Sequence, residues 1–248
     1  MLRPAPRNLE VLGSTYITPH MLRITLGGEA LAGFPKDLES AYVKLIFPNA
    51  GESRPLMRTY TIRHQRDGEI DIDFVIHDNT GPASSWALAA KPGGRIDMVG
   101  PGAKKLISQN ADWFLLVGDM TALPAISVNL ATLPQTARGH AVIEVVDESD
   151  IQDLPHPEGM ELHWVVNPSS QTEESRILER VESLEWLEGR AAVWAACEFS
   201  EMQRLRKYFR EEREIPSSLR YVSSYWKIGF SADQHKLAKQ EDTECGMR

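Results

Sequence analysis

The sequence predicts an all-β unit followed by an α/β unit: an N-terminal six-stranded antiparallel β-barrel, then a mostly parallel sheet with helices between its strands. Three observations carry this. The first hundred residues alternate short apolar runs with Gly- and Pro-rich punctuation, the rhythm of a small barrel. From Trp113 onward the apolar runs lengthen and are separated by helical segments, the signature of a parallel sheet. Gly100-Pro101-Gly102 interrupts the chain between the two patterns.

Strands are expected at Glu10–Tyr16, Met21–Leu26, Tyr42–Phe47, Arg58–Arg63, Glu69–Ile76 and Arg95–Val99. In the fifth, Ile70, Ile72, Phe74 and Ile76 alternate with Asp71, Asp73, Val75 and His77, the period of a half-buried strand. Gly81-Pro82 ends that strand and opens a short helix, Pro82 or Ala83 through Ala90, because proline suits the first helical turn.

The second unit reads as strands Trp113–Val117, Ala141–Val146, Leu162–Val166, Ala191–Ala196 and Arg220–Ser224. Helices are expected over Leu123–Leu133, Ser175–Leu184 and Glu201–Glu212, the last opened by Ser200 with Gln203 as a capping box. Leu205, Tyr208 and Phe209 form its buried stripe. The expected boundaries are 1–105 for the barrel and 106–235 for the α/β unit. Residues 236–248 are polar and aperiodic, expected to be a mobile tail or a segment ordered only by docking.

The chain has 248 residues, is 42% hydrophobic and 25% charged, and carries a formal net charge of −8. Such an acidic balance argues against a nucleic-acid or anionic-membrane partner, which would need a continuous basic face. No stretch approaches the length of a membrane span, and the first residues lack the apolar segment of a secretory signal, so a cytoplasmic location is expected. Only Cys197 and Cys245 are present, with no C-x-x-C pair. Neither a thiolate-held iron–sulfur cluster nor a structural zinc site is expected, and redox chemistry would require an organic cofactor. Cys197, in an apolar strand, reads as a core thiol.

Two stretches carry chemistry. In Arg58-Thr59-Tyr60-Thr61-Ile62-Arg63, alternation sends Arg58, Tyr60 and Ile62 to one face and Thr59, Thr61 and Arg63 to the other. An aromatic plane then lies beside fixed positive charge, which suits a flavin. In His77 through Trp86, the helix start supplies backbone N–H groups and a positive dipole end to a pyrophosphate. Further on, Gly118-Asp119-Met120-Thr121-Ala122-Leu123-Pro124 joins a strand to a helix where open parallel sheets bind ligands. Glu198, Ser200, Met202 and Arg206 are expected at the last such junction, bordering the same crevice.

These blocks, with Tyr42 through Pro48, Trp194 through Glu198 and Ser224-Tyr225-Trp226-Lys227, resemble the siderophore-interacting proteins of the ferredoxin-reductase-like superfamily. The resemblance spans nearly the whole chain. It implies an FAD-binding barrel, an NAD(P)H-binding-like second domain, and reduction of ferric siderophores of hydroxamate or catecholate type to release Fe(II). Electrons would come from NADH, NADPH or reduced ferredoxin. Asp147 and Glu148, after the second strand of the α/β unit, favour NADH by repelling the extra phosphate of NADPH. By the same resemblance Arg58 contacts the pyrophosphate, Tyr60 lies against the isoalloxazine, Thr61 approaches its N5, and Ile62 and Arg63 complete the strand's contact with the cofactor. Thr80, Ala83, Ser84 and Ser85 meet phosphate, His77 the adenine or ribose, and Thr121 the nicotinamide side. Trp226 places an aromatic beside the flavin, while Lys44, Lys104 and Lys227 attract the ferric chelate. Trp86 reads as a core anchor. Competing expectations are a flavin-containing siderophore-binding or sequestration protein, and a flavin reductase serving a protein acceptor.

Overall fold

In the first unit, Met1–Lys105, hydrophobic alternation closes a sheet on itself. The computed structural model describes residues 5–47, 55–77, 81–168 and 176–246, with side chains described through 242. Strands β1 (Arg7–Thr18), β2 (Met21–Gly27), β3 (Tyr42–Phe47), β4 (Leu56–Arg66), β5 (Glu69–Val75) and β6 (Arg95–Val99) form a closed antiparallel barrel in the order β1-β2-β5-β4-β3-β6. Its interior is filled by inward positions of every strand, among them Val11, Ile24, Leu45, Ile62, Ile72, Phe74 and Met98. Each such side chain contributes about 1.5–3 kcal/mol on burial. On the outer face, Asp73 takes a bidentate pair from Arg23 at 2.6 and 2.8 Å, and Asp71 takes one from Arg66 at 2.7 and 2.8 Å.

Helix α1 (Pro82–Ala89) lies on the barrel through Ala83 and Ala87, and Trp86 packs edge-on to Phe47. At the end of the unit, Gly102 leaves room for the Tyr42 ring. A Cβ there would come within 2.0 Å of the ring, and Gly102 N–H donates to Tyr42 O at 2.7 Å.

The second unit, Leu106–Arg248, contains β7 (Trp113–Gly118), α2 (Leu123–Thr132), β8 (Arg138–Val145), β9 (Gly159–Val166), α3 (Ile177–Glu182), β10 (Ala191–Glu198), α4 (Phe199–Lys207), β11 (Arg220–Trp226) and α5 (Ala232–Gly246). All five strands are parallel, in the order β11-β10-β7-β8-β9. The chain starts at the centre, builds outward through β8 and β9, then returns to build β10 and β11 on the other side. Its switch point therefore lies between β7 and β10. Cys197 is buried in this core.

One expectation about the C-terminal part is corrected, and the polar tail takes the second of its two expected forms, order through docking. The last long helix begins at Phe199, not Glu201, because the Glu198 carboxylate accepts from Ser200 N at 2.5 Å and Glu201 N at 3.3 Å and so acts as its cap. After α4 the chain widens into a π-type turn, Tyr208–Glu212. The polar segment from Lys236, without apolar periodicity, forms most of α5. A capping box opens it, with Gln234 N donating to Ser231 Oγ at 3.3 Å and Ser231 N to Gln234 Oε1 at 2.8 Å. It docks through polar groups: His235 Nε2 meets Ser224 Oγ at 2.8 Å, Lys239 Nζ donates to Ser224 O at 2.9 Å, and Arg206 pairs with Asp242 at 2.5 Å.

Candidate functional site

In the first unit, both chemistry-bearing stretches converge on Phe74. Tyr60 on β4 packs its ring 4.4 Å from Phe74, and Phe74 lies 5.9 Å from Trp86 on α1. Arg58 and Tyr60 are half-buried on the same side of β4, cross-strand from Leu45 and Val43. Burial raises the Tyr60 hydroxyl pKa, so it remains a neutral donor. Thr61 is half-buried beside Tyr42 in register.

Helix α1 starts at Gly81 with Pro82 in its first turn and, among the described residues, no side chain capping it. The N–H groups of Ala83 and Ser84 have no acceptor within the helix, the geometry that receives an anion. His77, just before this turn, has a buried Nδ1 without a hydrogen-bond partner among the described residues. Ser84 Oγ donates to Val75 O at 3.2 Å, tying helix to strand, whereas Ser85 is exposed. Thr80 lies outside the described residues. An orphaned ring nitrogen, an uncapped helix start and the Arg58 cation form a donor set that fits a dinucleotide with a pyrophosphate.

One expectation for β4 needs correction. Ile62 is wholly buried in the barrel, and both its backbone groups bond the Ser40–Ala41 segment at 2.9 Å, so it supports the strand instead of meeting a ligand. Arg63 sits at the β-bulge between Ile62 and His64. There burial lowers its pKa, and Asp73 and Arg23 of the outer face are the charges that act on it most strongly.

Lys44 is exposed on β3, and Lys104 forms an isolated bridge with Ala41 at the start of that strand. Both cations thus belong to one edge of the first unit. Lys227, in the second unit, places Nζ 4.4 Å from the Phe199 ring centroid and 4.3 Å from that of Phe230.

In the second unit the turn after β7 occupies the switch point. Gly118 is required there: a Cβ would come within 2.5 Å of Ala196 O and 2.8 Å of Ala122 Cβ. Asp119 is buried, which raises its carboxyl pKa. It accepts from Thr121 N at 2.9 Å, from Thr121 Oγ1 at 2.5 Å and from Trp226 Nε1 at 2.8 Å. Thr121 therefore spends its hydroxyl proton on Asp119 and faces any ligand as an acceptor. The structure distributes the other expected crevice residues differently. Met202 is buried, Glu198 caps α4 and accepts from Ile228 N at 3.2 Å, and Arg206 turns to Asp242. Asp147 caps the 3₁₀ turn Glu148–Asp150 through Ser149 N at 2.9 Å.

A profile described as a siderophore-interacting FAD-binding domain matches residues 10–53 and 49–105, and one described as a siderophore-interacting protein matches residues 111–229. The chain belongs to the siderophore-interacting protein family. A ferric vibriobactin reductase of Vibrio cholerae is 34% identical, covering 96% of this chain and 97% of that protein. The crystal structure of the siderophore-interacting protein SipS from Aeromonas hydrophila superposes with a TM-score of 0.85 at 33% identity, over 96% of this chain and 98% of that one. At the level of fold alone, a ferredoxin-NADP+ reductase from Plasmodium falciparum aligns with a TM-score of 0.64 at 14% identity, over 90% of this chain and 98% of that one. This likeness places the family in the ferredoxin-reductase-like architecture, a closed barrel followed by a parallel sheet.

The sequence blocks thus mark the positions that frame each candidate site. Two structural participants were missed. Asp119 was quoted only as part of its turn, although a carboxylate directly after a switch-point strand is a readable signal. Phe74, read as an ordinary core position, joins the stretches on β4 and α1.

Proposed function

We propose that this protein is an FAD-dependent ferric-siderophore reductase acting in the cytoplasm on a hydroxamate or catecholate chelate. The observation that carries this reading is the convergence of Tyr60 and the uncapped helix α1 on Phe74, beside Arg58 and the unpartnered His77 nitrogen. Arg58 and the N–H groups of Ala83 and Ser84 hold the pyrophosphate, with Thr80 and the exposed Ser85 hydroxyl as further contacts. In the first unit Tyr60 borders the ring system, Thr61 lies toward its N5, Arg63 adds positive charge from the bulge, and His77 meets the adenosine portion; Trp226, in the second unit, is the aromatic that the family resemblance assigns to the flavin.

Bound flavin supplies the conversion between a two-electron donor and a one-electron ferric acceptor. The protein's own task is positioning, since an Fe³⁺ chelate needs neither a general base nor a nucleophile. Lys44, Lys104 and Lys227 attract the anionic chelate against an acidic overall charge. Oxygen ligands hold Fe³⁺ more firmly than Fe²⁺, so one electron loosens the metal. NADH is the donor favoured by the exposed acidic residues Asp147 and Glu148 after β8, with NADPH and reduced ferredoxin as the alternatives to be separated. Thr121 serves the donor side through its acceptor lone pairs.

The test begins with an absorbance spectrum of the purified protein, which is expected to be that of a flavoprotein. Oxidised protein is then mixed anaerobically with NADH, NADPH or reduced ferredoxin while flavin bleaching is followed. A ferric siderophore and a coloured Fe²⁺ trap are added last. Bleaching by NADH followed by trap colour supports the proposal. Chelate binding without trap colour makes the protein a sequestration factor instead, and colourless protein that takes up no FAD removes the flavin reading altogether.

A further inference from the structure

Strands β8 and β9 bring together three side chains that the reductase reading leaves unused. His140 is the register partner of Glu161, and Glu161 and His163 share a strand face two residues apart. His140 Nδ1 lies 3.1 Å from His163 Nε2, while Glu161 Oε2 lies 3.6 Å from the first nitrogen and 3.7 Å from the second. A triangle with those edges has a circumradius of about 2.0 Å, the length of a zinc bond to imidazole nitrogen or carboxylate oxygen. One cation near the plane of the three atoms reaches all of them and keeps a fourth position for water.

The metal-free hydrogen bonds fix the tautomers. A guanidinium only donates, so Arg180, whose NH2 is 2.7 Å from His163 Nδ1, makes that nitrogen the acceptor. The His163 proton then sits on Nε2 and points at His140 Nδ1. His140 in turn keeps its own proton on Nε2, which is buried without a partner among the described residues. Glu161 Oε2 stays beyond hydrogen-bonding distance of both rings. Three electron-rich atoms thus face one point with a single proton among them.

We propose that His140, Glu161 and His163 form a site for a divalent first-row transition ion, and that Arg180 competes with the ion for His163. Two imidazoles and a carboxylate suit Zn²⁺, Co²⁺ or Fe²⁺ and not a hard cation such as Mg²⁺. When the ion binds, the His163 proton moves to Nδ1 and Arg180 withdraws. Ser183 Oγ, already 3.1 Å from Arg180 NH1, is its alternative partner. The site lies toward the outer edge of the sheet, apart from the switch point between β7 and β10.

Co²⁺ is the probe, because in a low-coordinate protein site it absorbs visible light far more strongly than in water. The full chain, dialysed against chelator and followed as a difference spectrum, is titrated with Co²⁺ and then with Zn²⁺. One equivalent of Co²⁺ is expected to bind with such bands, and Zn²⁺ to displace it. His163→Gln and Glu161→Gln, which avoid the more buried His140, are each expected to weaken binding at least tenfold. Arg180→Met is expected to tighten it by about tenfold, the low end of what partners of metal ligands contribute. The chain has seven histidines, so the variants identify the site. The proposal is overturned if no saturable band develops, if His163→Gln binds as the parent does, or if Arg180→Met binds no more tightly.

Discussion

Trp226 donates its indole N–H to the Asp119 carboxylate at 2.8 Å, across 107 residues of sequence. One hydrogen bond therefore joins the turn after β7 to the last residue of β11, both at the ligand-binding edge of the sheet. Asp119→Ala is expected to leave the Trp226 N–H and the Thr121 hydroxyl without their acceptor. The cost should be about 1–3 kcal/mol, read from chemical denaturation. Tryptophan fluorescence of the folded variant should shift as the indole loses its anchor, and donor-dependent bleaching should slow while FAD content stays unchanged.

One contribution to stability, that of the Glu144 carboxyl, should fall as pH rises toward neutrality. Burial raises the Glu144 carboxyl pKa from 4.5 to about 7, with Asn167 as its hydrogen-bond partner at 3.2 Å. The folded chain keeps this proton over a window in which the unfolded chain has released it, so the carboxyl costs nothing below the window and its full penalty above it. The loss between pH 5 and pH 8 should be on the order of 2–3 kcal/mol. Glu144→Gln, neutral throughout, should gain about that much stability relative to the parent between pH 5 and pH 8, read from urea melts at the two pH values.

Arg58→Ala should loosen FAD by about 10- to 100-fold, the worth of one charge-assisted hydrogen bond. Its bond to Met57 O is on the exposed side of β4, so the flavin-free barrel should keep its melting temperature, while the loaded one should lose stability in step with the weaker binding. Flavin released on dilution, followed by fluorescence, measures the effect.

Helix α5 should be a stabilising element of the second unit. Ending the chain at Gln234 removes the buried Ala238 and the bonds of His235, Lys239 and Asp242. A loss of about 1–2 kcal/mol, or about 2–8 °C, is expected. Its docking should also depend on pH. Burial and the neighbouring Lys239 lower the His235 pKa from 6.5 to about 4, so the neutral ring's contribution is complete above 6.5 and vanishes as pH falls toward 4. Hydrogen exchange of the α5 amides at pH 7 and pH 5 reads this directly; equal protection at both would refute the dependence.

The barrel is legible because its strands obey one simple rule. Ile70, Ile72 and Phe74 point inward and are buried, while Asp71 and Asp73 point outward to arginines, so the alternating pattern survives intact into the fold. The parallel strands are legible as continuous apolar runs for the same reason. Helix α5 escapes because its inward residues are His235, Ala238 and Lys239, whose burial depends on distant partners that no periodicity encodes. Its one local signal was Ser231 with Gln234 three positions later. The start of α4 was misplaced because Ser200 and Gln203 match a capping pattern, although Glu198 makes the cap. Of the candidate sites, the residue types and their strand or helix setting could be read. The bulge that carries Arg63, the Asp119–Trp226 bond and the His140–Glu161–His163 triangle all arise from pairings between strands.

Closing β1 against β6 couples Arg7–Glu10 to Arg95–Met98, the two ends of the first unit. A ribosome must therefore deliver nearly a hundred residues before this seam can be sewn. Until then β1 and β3, each awaiting β6, present unpaired backbone edges to the cell. The nascent chain is thus most vulnerable to strand-swapping and chaperone capture just before Val99 emerges, and crowding at that moment should govern yield more than the stability of the finished molecule.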